Sequence, residues 1–224
     1  MRILTMIPLQ SELDPFLQGC HTRGWPSTPA QIGRLGVYRL NAGRLTVALG
    51  GLGKTQFGVQ TQHLIDHGLP FDLVICAGAA GALDDALSVG DVVIGQETVE
   101  FDIQNRFGAP MLPRFVGAPV VLECLSHLPL NRAFNRHIGA IASGDEDVVD
   151  AVRRVEIRQQ TGALVTAWEG SGAARACAFS HTPFIEVRGV SDGAGESAPQ
   201  DFVANLPLTM AHVADVIVDL TNWL

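Results

Sequence analysis

The sequence predicts an α/β protein built on a central, mixed and twisted sheet flanked by helices. Short apolar runs rich in β-branched residues recur along the 224-residue chain, and segments with helical patterning separate them. Continuous apolar strands that alternate with helices are typical of a mostly parallel sheet covered on both faces. A chain of this length can bury a sizeable core, so we expect residues 1–224 to form a single domain.

The predicted strands are short apolar runs, and two helices are predicted between them. The strands are, in chain order, Arg2–Ile7, Leu45–Leu49, Asp72–Ala77, Val89–Ile94, Ile138–Ala142, Ala163–Ala167 and Phe184–Val190. Lys54–His67 is predicted as a helix that ends at Gly68 and Pro70, and Asp147–Gln160 as a second helix.

The C-terminal segment is predicted to be a core helix. Its apolar residues recur at spacings of three and four, which places them on one face. They are Val203, Leu206, Met210, Val213, Ile217, Leu220 and Leu224. Because proline is tolerated in a first helical turn, the helix is predicted to begin at Pro207. Residues 24–29 and 107–119 are rich in Pro and Gly and are predicted as loops.

Composition and charge narrow the class of function. The net charge is −8, from 23 acidic and 15 basic residues, and no basic run is present, so we expect neither a nucleic-acid nor a membrane partner. The four cysteines form no CxxC pair, which favours reduced thiols in the cytoplasm. The apolar N-terminal run is too brief for a signal peptide, and no run reaches the ~20 apolar residues of a membrane span.

Two glycine-rich segments follow predicted strands, but neither completes a nucleotide-binding motif. Residues 50–55 read GGLGKT, and Ala48 stands where a P-loop has its first glycine. Residues 78–81 read GAAG, and Cys76 stands where a dinucleotide-binding motif has its first glycine. We interpret both as turns that let a small ligand lie close to the backbone.

No metal site or serine nucleophile is predicted. The acidic cluster Asp145, Glu146, Asp147 and Asp150 fits a hard cation, but such residues more often cap the following helix. The seven histidines form no HxH or HExxH motif. Ser171 lies in Gly-Ser-Gly rather than GxSxG, so we interpret it as a small residue at a helix start. We therefore expect no metal and no cofactor.

Three acidic residues each follow a predicted strand. They are Glu12, Glu169 and Asp192. Because ligands bind at the carboxyl ends of the strands in an open α/β sheet, these carboxylates are predicted to converge on one crevice, although each taken singly also fits a helix cap. Arg188 lies inside an apolar strand, where a guanidinium needs a carboxylate partner unless the residue is at a strand edge.

These residues lie in motifs that resemble a known family. Residues 72–83, DLVICAGAAGAL, and 87–93, LSVGDVV, are similar to its GSAGGL and LxVGD[IV]V signatures. Residues 143–145, SGD, 167–170, AWEG, and 187–192, VRGVSD, are similar to its SGD, EMEA and VRA[IV]SD motifs. The chain thus resembles the nucleoside phosphorylase/nucleosidase superfamily, and most closely the 5′-methylthioadenosine/S-adenosylhomocysteine nucleosidases.

The resemblance implies a hydrolase that releases a purine base from a nucleoside, without a cofactor, and it implies a homodimer. In this family pattern, Asp192 protonates or hydrogen-bonds the leaving base, Glu12 orients and deprotonates water, and Arg188 organises them electrostatically. The substrate-binding positions that it implies are Glu169, which accepts from the ribose hydroxyls, and Trp168, Gly78, Ala79, Asp147, Val148, Ser191 and Phe202.

The sequence departs from the family pattern at four positions. Ala79 replaces a serine that helps to hold the water, and Ala167 replaces the first glutamate of EMEA. Trp168 replaces its methionine, and Asp147 replaces an aromatic residue that packs on adenine. These changes leave open which 5′ substituent and which purine base the substrate carries. Residues 104–119, where the resemblance is thin, are expected to contribute to the 5′ pocket.

Several alternatives remain open from the sequence. A futalosine hydrolase shares the scaffold and accepts a bulky 5′ group. Phosphorolysis is disfavoured because Cys76 and Ala79 stand where phosphorylases have an arginine and a hydroxyl residue for phosphate. A catalytically inactive nucleoside-binding relative is disfavoured because all three acidic residues are retained.

Overall fold

The computed structural model describes residues 1–108, 111–128 and 133–224. Within these ranges, ten strands form one mixed sheet flanked by helices, which confirms the predicted fold class. The strands are β1 (Ile3–Ile7), β2 (Thr28–Ile32), β3 (Leu35–Leu40), β4 (Leu45–Leu49), β5 (Leu73–Ala82), β6 (Val92–Glu100), β7 (Arg114–Val116), β8 (Arg136–Ser143), β9 (Val165–Ala167) and β10 (Phe184–Asp192). The helices are α1 (Gln10–Thr22), α2 (Lys54–His67), α3 (Pro119–Cys124), α4 (Ala151–Thr161), α5 (Gly170–Phe179) and α6 (Ala198–Trp223).

The strand order explains why distant segments meet. It is β10-β6-β8-β9-β5-β1-β4-β3-β2, and β7 pairs with β6. The long strand β5 runs parallel to β1 and β10 and also pairs with the antiparallel strand β9. The pairing of β10 with both β5 and β6 closes β5, β10, β6, β8 and β9 into a ring. The ends of β1, β5 and β10, which come from different parts of the chain, are therefore neighbours.

Alternate residues of the central strands enter two different cores. Ile3 and Ile7 of β1 pack in the core that contains α1 and α6, whereas Leu4 and Met6 pack in the core that contains α2 and α5. All four side chains are fully buried. The continuous apolar run of β1 thus reflects a strand covered on both faces, as the sequence predicted.

Several strand boundaries differ from the prediction. Residues 78–81 are not a turn, because β5 continues through them to Ala82 and pairs there with β9 and β10. The hairpin of β2 and β3 was not predicted, and β2 begins inside the predicted loop 24–29. Their burial alternates incompletely, as expected for a strand pair at a sheet edge.

Two helix starts were also predicted wrongly. The helix predicted from Asp147 begins at Ala151, because Asp150 is its N-cap and accepts from the backbone N–H of Arg153 at 2.9 Å. The C-terminal helix begins at Ala198 rather than at Pro207. Pro207 is tolerated inside α6 because it lies on an exposed side, where water can satisfy the carbonyl that a proline leaves free.

Helix α6 is long and apolar enough to cross a membrane by length and composition alone. Its most apolar window has a mean hydropathy of 1.3, and 56% of that window is buried inside the molecule. Met210, Val213 and Ile217 are fully buried in the same core as α1. The predicted apolar stripe of α6 is therefore used for packing within the chain from Leu206 to Leu220, whereas Val203, which was predicted to belong to it, is 70% exposed.

Candidate active site

A cavity of about 430 Å³ opens at the carboxyl ends of β1, β5, β9 and β10. Its walls combine apolar side chains with acidic groups and one arginine. The lining residues are Pro8, Leu9, Glu12, Leu52, Ala79, Ala80, Gly81, Glu146, Asp147, Val148, Val149, Thr166, Ala167, Trp168, Glu169, Arg188, Ser191, Asp192, Ala194, Ala198, Pro199 and Phe202.

The three carboxylates selected from the sequence all line this cavity. Glu12 lies in the first turn of α1, Glu169 lies two residues after the end of β9, and Asp192 is the last residue of β10. All three are buried, with exposed fractions of 3%, 4% and 8%. The predicted convergence on one crevice is therefore present in the structure.

Glu12 is held by two backbone donors. The N–H of Ala79 donates to its Oε1 at 2.7 Å, and the N–H of Leu9 donates to its Oε2 at 3.1 Å. Burial and, to a lesser extent, the charge of Glu169 raise the pKa of Glu12 to about 7, against the lowering effect of these hydrogen bonds and of Arg188. A carboxyl that titrates near neutrality can both accept and release a proton at physiological pH.

Glu169 lies between the start of α2 and Arg188. The backbone N–H of Gly53 donates to its Oε1 at 3.3 Å, and Arg188 Nη2 lies 3.4 Å from its Oε2. Burial raises the pKa of Glu169, while Arg188 and the Gly53 N–H oppose the shift. The glycine-rich turn at residues 50–55 therefore belongs to this site, because it aims a helix N-terminus at a site carboxylate.

Arg188 is the only cationic side chain lining the cavity among the described residues, and it is 1% exposed. Its Nη1 and Glu12 Oε1 would lie 2.6 Å and 2.9 Å from a Cβ added at Gly78. Gly78 is not among the residues that line the cavity, so the expectation that its backbone approaches the ligand stays a prediction. Its lack of a side chain leaves room for Arg188 beside Glu12.

Asp192 accepts two hydrogen bonds at the other side of the cavity. Ser191 Oγ donates to its Oδ2 at 2.7 Å, and the N–H of Ala194 donates to its Oδ1 at 2.9 Å. Burial raises the pKa of Asp192, and these two hydrogen bonds reduce the shift. The protonated form of this carboxyl is thereby more accessible than in an exposed aspartate.

The remaining residues selected from the sequence, apart from Gly78, also line the cavity. They are Ala79, Asp147, Val148, Trp168, Ser191 and Phe202. Trp168 is partly buried, and Ser143 Oγ donates to its carbonyl at 2.7 Å. Ser143 also binds the N–H of Ser171 at 2.9 Å, so Ser171 lies at a helix start, as predicted.

The sequence reasoning missed apolar lining residues. Leu9, Leu52 and Val149 line the cavity, but no motif marked them. The described residues of segment 104–119 do not line the cavity, so the expectation that this segment contributes to the 5′ pocket stays a prediction. The position of Leu52, between two glycines directly after a strand, was the available signal.

The acidic cluster after β8 is used in hydrogen bonds and ion pairs. Asp145 accepts from the N–H of Lys54 at 2.8 Å, and Glu146 accepts from Arg153 at 2.6 Å and 2.8 Å. In the part of the chain that the structure describes, no group of three or more His, Cys, Asp or Glu side chains is arranged to hold a metal ion.

The fold and the site define an α/β protein with a small-molecule pocket that is rich in carboxylates from strand ends and a helix start. The family model described as "Phosphorylase superfamily" matches residues 2–222. The chain belongs to the phosphorylase superfamily, as the sequence motifs indicated.

Relatives with a similar sequence are nucleosidases. The chain is 32% identical over 172 residues to a 5′-methylthioadenosine/S-adenosylhomocysteine nucleosidase of Staphylococcus haemolyticus, covering 73% of this chain and 75% of that protein. It is 30% identical over 189 residues to the nucleosidase of the same name from Pseudoalteromonas translucida, covering 80% of each.

Solved structures share the whole fold. The 5′-methylthioadenosine/S-adenosylhomocysteine nucleosidase of Neisseria meningitidis, in complex with methylthio-immucillin-A, has a TM-score of 0.83 and 27% identity, and covers 100% of this chain and 99% of that one. The futalosine hydrolase of Helicobacter pylori has a TM-score of 0.86 and 20% identity, with coverage of 100% and 98%, and is similar in fold.

Proposed function

We propose that this protein is a nucleosidase that hydrolyses the N-glycosidic bond of 5′-modified purine nucleosides. Its preferred substrates in this proposal are 5′-methylthioadenosine and S-adenosylhomocysteine. The observation that carries the proposal is the meeting of Glu12, Glu169 and Asp192 in one cavity around Arg188. The similarity to nucleosidases over most of the chain supports it.

The proposed reaction divides among the three carboxyls. Cleavage of an N-glycosidic bond passes through an oxocarbenium-like sugar, so it needs an acid at the base, an acceptor at the hydroxyls and an oriented water. Asp192 protonates or hydrogen-bonds the leaving base. Glu169 accepts from the ribose hydroxyls, and Glu12 takes the proton from the attacking water.

Water is the proposed nucleophile because the cavity is poorly suited to phosphate. Its walls hold three buried carboxylates but one guanidinium, and Arg188 is already bound to acidic partners. Ala79 offers no hydroxyl, and Cys76 lies behind the wall with its Sγ 3.3 Å from Arg188 Nη2. A phosphate dianion would therefore meet net negative charge.

We expect base release in phosphate-free buffer. Purified protein is incubated with 5′-methylthioadenosine, S-adenosylhomocysteine, adenosine, inosine and futalosine, each with and without phosphate, and the free base and sugar product are separated by chromatography. A free ribose product without phosphate supports the nucleosidase, and the 5′-thio substrates should react fastest because the resemblance to their nucleosidases is the strongest.

Each other outcome points to a different function. A ribose 1-phosphate product that forms only with phosphate would identify a phosphorylase. If the base is released fastest from futalosine, the protein is a hydrolase of nucleosides with a larger 5′ group. Release from none of the five nucleosides would contradict the proposal and favour a nucleoside-binding protein.

We further propose that the protein acts in the cytoplasm as a homodimer. The exposed side of α2 and the turn before it carry Val59, 66% exposed, and Leu52, 52% exposed. Leu52 lines both the catalytic cavity and a surface hollow that contains Val59 and Asp145. A second copy on this face would cover apolar surface and close the cavity beside Leu52.

Val59→Asp is expected to convert the dimer into a monomer and to weaken activity, because it buries a charge in the proposed interface. Light scattering after size-exclusion chromatography measures the mass against 23.9 kDa for one chain. Leu208→Asp, on an exposed position of α6, is the control and should leave the dimer intact. A wild-type protein that is monomeric at assay concentration would contradict the proposal.

A further inference from the structure

A fourth buried carboxylate lies directly behind the candidate active site. Glu186 is on β10, two residues before Arg188, and its side chain is fully buried. It does not line the cavity. Its Oε2 accepts from Thr98 Oγ1 of β6 at 2.5 Å, and its Oε1 accepts from Arg188 Nε at 2.8 Å. The proposed reaction gives this group no direct contact with substrate.

Glu186 makes the shortest bond that the Arg188 guanidinium forms. The Arg188 contacts to Glu169, to the carbonyl of Ala79 and to Cys76 Sγ are longer, at 3.4, 3.4 and 3.3 Å. Charge-assisted hydrogen bonds weaken as they lengthen. The arginine is therefore held more tightly by the carboxylate outside the cavity than by the carboxylate inside it.

Resting on the proposed function, we propose that Glu186 is a positioning residue of the reaction. It fixes the Arg188 guanidinium through Nε and takes up part of its charge. Arg188 can then orient Glu12 and Glu169 without binding either of them in a tight ion pair. Both carboxylates stay available as acceptors, Glu12 for the attacking water and Glu169 for the sugar hydroxyls.

A neighbouring glycine provides the space for this arrangement. A Cβ added at Gly170 would overlap the carboxylate of Glu186. Gly170 starts α5 directly after Glu169, and its φ is not positive, so the backbone conformation does not require glycine. The residue is therefore needed for the close approach of Glu186 rather than for a turn.

The proposal predicts a pH effect that a purely structural role would not produce. The titratable groups that interact with Arg188 are Glu12 from α1, Cys76 from β5, Glu169 before α5 and Glu186 from β10. Glu186 raises the pKa of Glu169, and Arg188 lowers the pKa of both Glu169 and Glu12. Removal of the Glu186 charge leaves more of the Arg188 charge for the two site carboxyls, so their pKa values fall.

Glu186→Gln keeps the shape and removes the charge. We expect the acidic limb of the kcat/KM profile to move about one unit to lower pH, with KM little changed. Glu186→Val also removes the tether and should lower kcat roughly tenfold, because Arg188 loses its fixed orientation. A Glu186→Gln profile that superimposes on the wild type would overturn the proposal.

Two further variants separate charge from packing. Asp91→Asn alters another buried carboxylate, 3% exposed and outside the cavity, and should lower the melting temperature without moving the pH profile. In Gly170→Ala combined with Glu186→Val, the added methyl fills space vacated by the carboxylate. This double variant should recover stability relative to Gly170→Ala alone while its pH profile stays shifted, and a wild-type profile would contradict the proposal.

One readout does not depend on activity. Carboxyl NMR titration of protein labelled at glutamate reports the pKa values of Glu12 and Glu169 directly. If the wild type releases no base from any nucleoside, the proposed function fails, but Glu186→Gln should still lower the pKa of Glu169. If that pKa is unchanged in a protein that does hydrolyse nucleosides, the role of Glu186 fails alone.

Discussion

Glu12→Gln is expected to abolish base release while the fold stays intact. The amide keeps the size of the side chain but cannot take a proton from water, and loss of a general base lowers kcat by about 10²–10⁴-fold. In the wild type, kcat/KM should rise with pH through a limb near the Glu12 pKa of about 7, because the ionised form is the active one. That limb should be absent from the residual activity of Glu12→Gln.

The stability of Glu12→Gln provides the control, because it shows whether the variant is inactive for lack of a base or for lack of a fold. The folded pKa of Glu12 is about 7, above the ordinary value of 4.5. The native state therefore holds this proton more strongly than the unfolded state, and the contribution of Glu12 to stability falls as pH rises from 4.5 to 7. A neutral glutamine avoids that loss.

Thermal unfolding of the wild type and of Glu12→Gln across pH tests the sign of this pH dependence of stability. Glu12→Gln should melt at a higher temperature than the wild type at alkaline pH, and the difference should shrink as the solution is made acidic. An inactive variant that also unfolds early at alkaline pH would point to lost packing. A fully active Glu12→Gln would contradict the role of Glu12 as the base.

The sequence predicted which residues form the site better than it predicted the strand arrangement that brings them together. Glu12, Glu169 and Asp192 were selected because each follows a predicted strand, on the argument that parallel strands bring their carboxyl ends to one edge of the sheet. That argument holds for β1 and β10, which run parallel to β5. It does not hold for β9, which runs antiparallel to β5 and brings Glu169 to the cavity because it pairs with the carboxyl-terminal residues of that long strand. This pairing and the closed ring through β9 and β10 were not predicted, because they depend on long-range contacts that no local pattern encodes.

Glu186 was missed although a signal was available. It lies two residues before Arg188 in one strand, so the two side chains point to the same side of the sheet. An apolar strand with an arginine and a glutamate in this relation indicates a buried ion pair. The sequence reasoning sought the partner of Arg188 only among residues at strand ends.

The glycines at residues 78–81 show how a local pattern can predict a turn where the structure has a strand. Residues 78–81 follow an apolar run and were interpreted as a turn, yet they continue β5 in extended conformation. Gly78 has glycine because Arg188 and Glu12 occupy the space of its side chain. Crowding from distant residues and backbone freedom both select glycine, and a single sequence does not distinguish them.

Asp192→Asn is expected to stop turnover while leaving nucleoside binding largely intact. The asparagine oxygen can still accept from the Ala194 N–H, and its amide group can donate to Ser191 Oγ, but the side chain cannot protonate the base. Loss of a general acid lowers kcat by about 10²–10⁴-fold. Titration calorimetry with a non-hydrolysable nucleoside analogue measures binding separately, so an enzyme and a binding protein are distinguished by kcat and Kd.

The leaving group provides the sharper test of Asp192. A purine departs poorly unless its ring nitrogen is protonated, whereas the nitrophenolate of a nitrophenyl riboside departs without a proton. Asp192→Asn should therefore lose most of its activity on purine nucleosides and little on the nitrophenyl riboside, while Glu12→Gln should lose both, because each substrate needs the activated water. Equal losses of Asp192→Asn on the two substrates would assign Asp192 to substrate positioning, and full activity on purine nucleosides would contradict any role in the reaction.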